Sequence, residues 1–312
     1  MSGFNSSQMI SILYLGRIDY GTALSLQQTL VELRKEQSIP DVLLLLEHFP
    51  VITLGRNASH KNLLVSRDIL QNKSVEVFES NRGGDITFHG PGQLVGYPIV
   101  DLRGFSPRLG AVEFVRRLEE ALIRTCGDLG IPAERICGLT GVWTQASNSQ
   151  SCFANNWPIK PTAIESLACE KAIEQKKIAA IGVHISRGVT SHGFALNITT
   201  DLDYFKLIVP CGISDRPVTS MAQELAGKGT VPSIEAVANA VSLNFGRVFA
   251  RQMLSLESLE ALLSTEAMED RPADDAQSTT IGVPLQVPKN LREVRREQKA
   301  PQLGSKDEVS LA

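Results

Sequence analysis

Lys177-Ile178-Ala179-Ala180-Ile181-Gly182-Val183-His184, answered by Gly193-Phe194-Ala195-Leu196-Asn197-Ile198, is the stretch that decides the fold. Both runs are short, apolar and rich in residues that suit a pleated surface, and the second reads as the hairpin partner of the first. A hairpin makes antiparallel neighbours, which counts against a doubly wound parallel sheet. Working upstream, Ser11–Leu15 reads as a first strand. Asp19 can cap a helix whose apolar positions are Leu26, Leu30 and Leu33. Val42–Leu46 after Pro40 reads as a strand buried on both faces, broken at His48-Phe49-Pro50 and resumed at Val51–Leu54. Val75–Phe78 is a further short strand. The segment from Asn81 to Pro98 carries five glycines and two prolines, which predicts a shaped loop rather than regular structure.

Ala111–Leu129 is amphipathic through Val115, Leu118 and Leu122, and Gly130 with Pro132 stops it. Downstream of the hairpin, Leu202–Ile208 is open between a short helix and an extended stretch, and Pro210-Cys211-Gly212 is a turn. Ile234, Val237, Ala238, Val241, Phe245 and Val248 define a helix expected to be the last core element. Short strands interleaved with helices, several of them hairpin-like, predict an α+β fold with a mixed sheet.

The chain has 312 residues, 43% apolar and 21% charged, enough to bury a full core. Five cysteines, at 126, 137, 152, 169 and 211, with no CxxC, exclude a disulfide scaffold and a zinc ribbon and suit a reducing compartment. The net charge of −3 excludes a general attraction to nucleic acid. Residues 254–312 hold 11 acidic and 7 basic residues, so the acidity belongs to the tail. No apolar run approaches the ~20 residues of a membrane span, and the first residues lack the pattern of a signal peptide. The expected location is cytoplasmic. The expected organisation is a catalytic domain over 1–253, interrupted by an insertion of irregular composition at about 145–176, and a largely disordered acidic extension over 254–312.

Three segments could carry chemistry. Arg82-Gly83-Gly84-Asp85-Ile86-Thr87-Phe88-His89 combines glycines that let a ligand approach the main chain with an arginine and a histidine. It matches neither a P-loop nor a dinucleotide fingerprint, and a plain glycine-rich turn would look the same. Cys211, between Pro210 and Gly212, is a thiol held in a turn beside a residue that permits access; thiolates attack thioesters well, although a lone cysteine is more often structural. Lys177 opens a buried strand and can project its amine into a pocket, or else guards a strand edge. Bringing a free thiol from a pKa near 8.5 to about 7 takes about 2 kcal/mol, and one ammonium ~4 Å away at an effective dielectric of ~20 supplies about 4 kcal/mol.

Taken in order, these blocks resemble the lipoyl(octanoyl) transferases, the LipB family. Arg82–His89 with Gly92-Gln93-Leu94 and Tyr97-Pro98 carries the family signature. Glu47-His48-Phe49-Pro50 with Thr53-Leu54-Gly55-Arg56 matches its earlier motif. Lys177–Val183, Ser191–Asn197 and Val209–Asp215 match its later blocks, and the likeness covers roughly residues 10–250. The resemblance implies a catalytic domain like those of biotin and lipoate protein ligases. It implies transfer of an octanoyl group from octanoyl-acyl carrier protein to a lysine of the lipoyl domains of 2-oxoacid dehydrogenases and of the glycine cleavage H protein. Cys211 would carry the group as a thioester and Lys177 would assist it. Arg82, Gly83, Gly84, Asp85, Ile86, Thr87, Phe88 and His89 would bind the acyl chain, together with Ala180, Ile181, Gly182, Gly193, Phe194 and Ala195. No metal, nucleotide or other cofactor is implied. The insertion and the acidic tail depart from the family pattern. An ATP-dependent lipoate or biotin ligase of the same fold would not need Cys211, and a non-catalytic acyl-binding protein would bury it.

Overall fold

The computed structural model describes residues 9–145, 175–213 and 215–263. The expected insertion, apart from its two ends, and the tail beyond Leu263 lie outside the described residues.

Ten apolar-rich residues form β1 (Met9–Ile18). Asp19 then caps α1 (Tyr20–Lys35), its carboxylate accepting from Thr22 N at 2.7 Å. β2 (Asp41–His48) is buried along its whole length, as its unbroken run of leucines requires. After the turn at Phe49-Pro50 come β3 (Val51–Leu54), α2 (Arg67–Asn72), β4 (Glu76–Glu79), β5 (Ile86–His89) and β6 (Gln93–Ile99). The expectation of a loop without strands over Asn81–Pro98 is therefore corrected. Ile86–His89 and Leu94-Val95 are buried, and burial of β-prone residues outweighs the glycines around them. One of those glycines lies within β6 for a packing reason: a Cβ on Gly96 would stand 2.1 Å from the Phe194 ring.

The long helix α3 (Ala111–Asp128) leads to β7 (Ala133–Ile136) and β8 (Leu139–Thr144). The deciding hairpin is present as β9 (Lys177–Ser186) and β10 (Val189–Asn197), in register from Val189–Ser186 to Leu196–Ala179. Leu202–Leu207 forms 3₁₀ turns, which settles the segment left open between helix and strand. The helix α4 (Ile234–Phe249) starts at Ser233, whose hydroxyl accepts from Ala236 N. It does not end the core, contrary to expectation. β11 (Gln252–Ser255) adds to the sheet edge parallel to β1, and α5 (Leu259–Leu263) buries Leu259 and Leu262. Four residues are enough for an edge strand when the main chain finds a partner, whatever their side chains.

The main sheet runs β11-β1-β2-β6-β10-β9-β8-β7, with β11, β1 and β2 parallel and the remaining pairs antiparallel. Alternate residues separate its two faces. Leu43, Leu45, Leu94, Ile178 and Leu196 pack with α3 and α4. Leu44, Leu46, Val95, Tyr97 and Ala195 pack with α1 and α5. A smaller sheet, β4-β3-β5, has its own apolar cluster with Phe205, Leu207 and Ile208. This is a mixed-sheet α+β fold, and the glycine-rich loop Arg82–Asp85 joins β5 to the hairpin of the large sheet through a hydrogen bond from Gly83 N to Val183 O of 3.0 Å.

Candidate active site

A cavity of about 260 Å³ opens where the two sheets meet. Its walls come from the Arg82–Asp85 loop, from β5, from Gly138–Thr140 at the start of β8, from β9 and β10, and from the turn at Cys211. Apolar wall is supplied by Ala180, Ile181, Phe194 and Ala195. Gly182 and Gly193 face one another across the hairpin. A Cβ on Gly182 would lie 2.6 Å from Gly83 O, so the loop can approach the strand only over a glycine.

Cys211 is half-buried and adopts φ 56°, ψ 19°, a left-handed conformation that disfavours a non-glycine residue by roughly 1–2 kcal/mol. Pro210 precedes it, and Gly212 follows at φ 69°. The turn is pinned from outside. Val209 N donates to Asn62 O at 2.8 Å, and Asn62 Nδ2 donates to Asp85 Oδ2 at 2.5 Å. Asp85 also accepts from Ser59 N at 3.1 Å and Ile86 N at 2.7 Å. A carboxylate with this many donors fixes a turn. Strain held in place by surrounding bonds is a feature of functional positions.

Lys177 is buried, and its amine lies 4.8 Å from the centroid of the Trp143 ring. Its backbone is clamped by Lys177 N to Pro217 O and Thr219 N to Lys177 O, both 2.9 Å, which ties the lysine to the segment following Cys211. Among the described residues no carboxylate pairs with it. Lys177 and Cys211 line the same cavity.

Arg82 is buried and also without a carboxylate partner among the described residues. Its Nε and Nη2 donate to Thr53 Oγ1 at 3.1 and 2.9 Å, Nη2 donates to Thr53 O at 2.6 Å, and Nη1 donates to Gly83 O at 3.1 Å. Burial draws its pKa below the ordinary guanidinium value, opposed by Tyr20, Cys211, Tyr97 and Asp85. His89 and His192 lie by this group and His48 packs on His89, all three kept neutral chiefly by burial: His48 at about 4, His89 at about 3 and His192 at about 4. His48 Nδ1 faces Ile18 O at 3.0 Å and so carries the proton, leaving Nε2 to accept from Tyr97 Oη at 2.7 Å.

The cavity brings together Arg82, Gly83, Gly84, Asp85, Thr87, His89, Lys177, Ala180, Ile181, Gly182, Gly193, Phe194, Ala195 and Cys211. Ile86 and Phe88 do not line it. They alternate with Thr87 and His89 on β5 and point into the smaller core, where Phe88 stacks on Tyr204 at 4.6 Å. Sequence reading missed Tyr20, Tyr97, Leu139 and Ile213 as wall residues. His192 is a further wall residue, buried against the cavity with Nε2 2.6 Å from Asn81 Oδ1. Tyr97 stood within a quoted motif, while nothing local to Tyr20 signalled a role.

The fold and this cavity define a catalytic domain of the lipoyl protein ligase class. Residues 19–246 match the family model described as the lipoyl protein ligase A/B catalytic domain. The backbone resembles a bipartite lipoate protein ligase from Thermoplasma acidophilum with a TM-score of 0.56 at 18% identity, covering 83% of this chain and 91% of the other. It resembles a lipoate-protein ligase A solved with ATP equally well, with a TM-score of 0.56 at 17% identity, covering 82% and 92%. At such identities the likeness concerns the fold alone. Sequence relatives are more specific. A protein named octanoyltransferase from Koribacter versatilis is 58% identical over 265 residues, 85% of this chain and 93% of its own. Another of that name from Acidobacterium capsulatum is 53% identical over 260 residues, 82% and 96%. The chain belongs to the octanoyltransferase family, the LipB branch of the class.

Proposed function

We propose that this enzyme transfers an octanoyl group from octanoyl-acyl carrier protein to a lysine of a lipoyl domain through a thioester on Cys211. The observation that carries the reading is a strained cysteine and a buried, carboxylate-free lysine on one cavity whose remaining wall is largely apolar. In the first half-reaction the Cys211 sulfur attacks the donor thioester carbonyl. The carbon–sulfur bond to the carrier's thiol breaks and that thiol leaves with a proton. In the second, the uncharged amine of the acceptor lysine attacks the Cys211 thioester, an amide forms, and the Cys211 sulfur leaves. Lys177 holds positive charge beside the anionic sulfur, gives a proton to the departing carrier thiol in the first half-reaction, and in the second takes up the proton shed by the attacking amine, so that its charge is restored as the Cys211 sulfur leaves.

Ala180, Ile181, Phe194 and Ala195 bury the acyl chain, while Gly83, Gly182 and Gly193 leave it room. At ~0.8 kcal/mol per buried methylene, two carbons more or fewer change binding by about tenfold, so the cavity selects chain length. The acceptors are the lipoyl domains of 2-oxoacid dehydrogenases and of the glycine cleavage H protein, and the compartment is the cytoplasm. Among the described residues no helix is long and apolar enough to cross a membrane.

Incubation with octanoyl-acyl carrier protein should add one octanoyl mass to the chain, on the peptide that contains Cys211, and Cys211→Ala should take up none. An acyl group found on another residue, or turnover that requires ATP and free octanoate, would overturn the reading in favour of a ligase.

A further inference from the structure

Trp143 and Lys177 are register partners across β8 and β9, so their side chains leave the sheet on the same face. The Lys177 amine lies 4.8 Å from the centre of the indole, and the guanidinium of Arg216 lies 5.7 Å from it. The ring is buried, and its N–H finds no partner among the described residues. A buried tryptophan ordinarily places that N–H on an acceptor. Here the ring's contribution is its π face, and indole is the strongest of the aromatic faces toward a cation. Gly141, held at φ 125°, also bounds the lysine: a Cβ there would come 3.4 Å from Lys177 Cε and 3.7 Å from Nζ. Glu119, buried beneath, fixes Gly141 by accepting its N–H at 3.0 Å.

We propose that Trp143 is the positioning residue for Lys177: its π face, in place of a carboxylate, holds the ammonium beside Cys211. The inference rests on the reading of Cys211 as the acyl carrier. A carboxylate would fix the amine equally well but would cancel its charge and repel an anionic sulfur. The ring attracts the cation without bringing a net charge. The other charged groups about the lysine are disposed accordingly. Arg82 and Arg216 are positive, Asp85 is engaged by Asn62, Ser59 and Ile86, and Glu224 is bound by Lys176 at 3.2 Å. The thiol turn thus shares its cavity with the cations Lys177 and Arg82, while Asp85 and Glu224 are held by other donors.

The test measures the carboxymethylation rate of Cys211 by iodoacetate near neutral pH, read at the Cys211 peptide, in Trp143→Leu and Trp143→Phe, each with Lys177 present or replaced by Met. With Lys177 present, Trp143→Leu should slow the reaction roughly tenfold, the size of a buried cation–π contact, and Trp143→Phe should restore most of it. In the Lys177→Met background neither substitution should change the rate further. Equal losses in both backgrounds would show a merely structural effect and overturn the proposal, as would an unchanged rate in Trp143→Leu. Should Trp143→Leu not fold, as read by circular dichroism, Trp143→Phe decides alone: a loss of about twofold that requires Lys177 supports the contact, and a loss independent of Lys177 overturns it. The alkylation cycle uses no acyl donor. Failure of wild-type Cys211 to take up an octanoyl group would thus sink the functional reading and leave the alkylation result for Trp143 standing.

Discussion

Thr53 Oγ1 lies 3.4 Å from His89 Nε2, and the direction of the proton between them is fixed by what each also touches. Thr53 Oγ1 accepts from Arg82 Nε and Nη2, so its own hydrogen must point away from the guanidinium. Gln93 Nε2 donates to Phe88 O at 3.2 Å and to Asn197 Oδ1 at 2.9 Å, which leaves Gln93 Oε1 to accept from His89 Nδ1 at 2.8 Å. His89 Nε2 is then bare and takes the threonine proton. A single buried chain of hydrogen bonds runs from Arg82 through Thr53, His89, Gln93 and Asn197 to Thr219 O, beside the Lys177 clamp.

Thr53→Val keeps the shape of the side chain and removes both halves of that exchange. Arg82 would keep its bond to Thr53 O, while His89 Nε2 would be left buried without a donor. A stability loss of about 1–3 kcal/mol is expected in urea denaturation. Octanoyl transfer should fall further than the folded fraction does, because the guanidinium that lines the cavity loses both bonds to the threonine hydroxyl and is held less closely. Transfer that tracks the folded fraction alone would show Arg82 to be a bystander.

Acid should destabilise the protein through its buried histidines. His48, His89 and His192 have folded-state pKa values lowered to about 4, about 3 and about 4, chiefly by burial. Above about pH 6.5 both folded and unfolded forms are neutral at these positions and their contribution is complete. Between that point and about pH 4 the unfolded chain binds protons that the folded chain refuses, so stability falls by up to about 1.4 kcal/mol per pH unit for each histidine. Urea midpoints between about pH 7.5 and about pH 5.5 should drop accordingly. His48→Gln, which can still bond Tyr97, should flatten the slope by about a third. An equal slope in that variant would mean that His48 is not neutral in the fold.

Much of this architecture was legible from local pattern. The leucines of β2 announced burial on two faces, Asp19 announced the start of α1, and the apolar runs around the hairpin announced the mixed sheet. What escaped was set by tertiary contact. The glycines between Asn81 and Pro98 suggest an open loop until the Phe194 ring is seen to require Gly96, and until Ile86 and Phe88 are seen to be core residues. β11 forms because an edge of β1 is available, which no residue of Gln252–Ser255 advertises. At the site, Cys211 and Lys177 stood out as residue types, and the family likeness joined them. Tyr20 gave no sign, because its place beside His48 and Arg82 depends on how α1 docks on the sheet.

Gly96→Ala should narrow the acyl cavity. The added methyl would lie 2.1 to 2.8 Å from three atoms of the Phe194 ring, which must turn aside. Phe194 forms part of the cavity wall and is buried, so the ring can yield only at the expense of its neighbours or of the cavity. Competition between octanoyl and hexanoyl donors should shift toward the shorter chain by roughly tenfold, the equivalent of two methylenes that no longer fit. An unaltered preference with a simple loss of stability would place the strain on the core side of Phe194 instead.

Glu119 is a fully buried carboxylate on α3, far from the thiol in sequence. Arg116 Nη1 and Arg135 Nε donate to its Oε2 at 2.6 and 3.2 Å, and Gly141 N donates to its Oε1 at 3.0 Å. Both arginines are about a third exposed, so losing their partner costs less than stranding a buried charge would, since water can reach them. The loss at Gly141 is different, because its N–H is buried and its left-handed backbone depends on being held. Glu119→Gln keeps an oxygen for Gly141 while discarding the charge. Glu119→Ala discards both. The glutamine variant should lose about 1 kcal/mol and retain transfer, and the alanine variant should lose about 2–3 kcal/mol and slow transfer, since Gly141 bounds the Lys177 amine. Equal transfer rates for the two folded variants, measured with the same octanoyl donor, would show that the path from α3 to the lysine carries stability only.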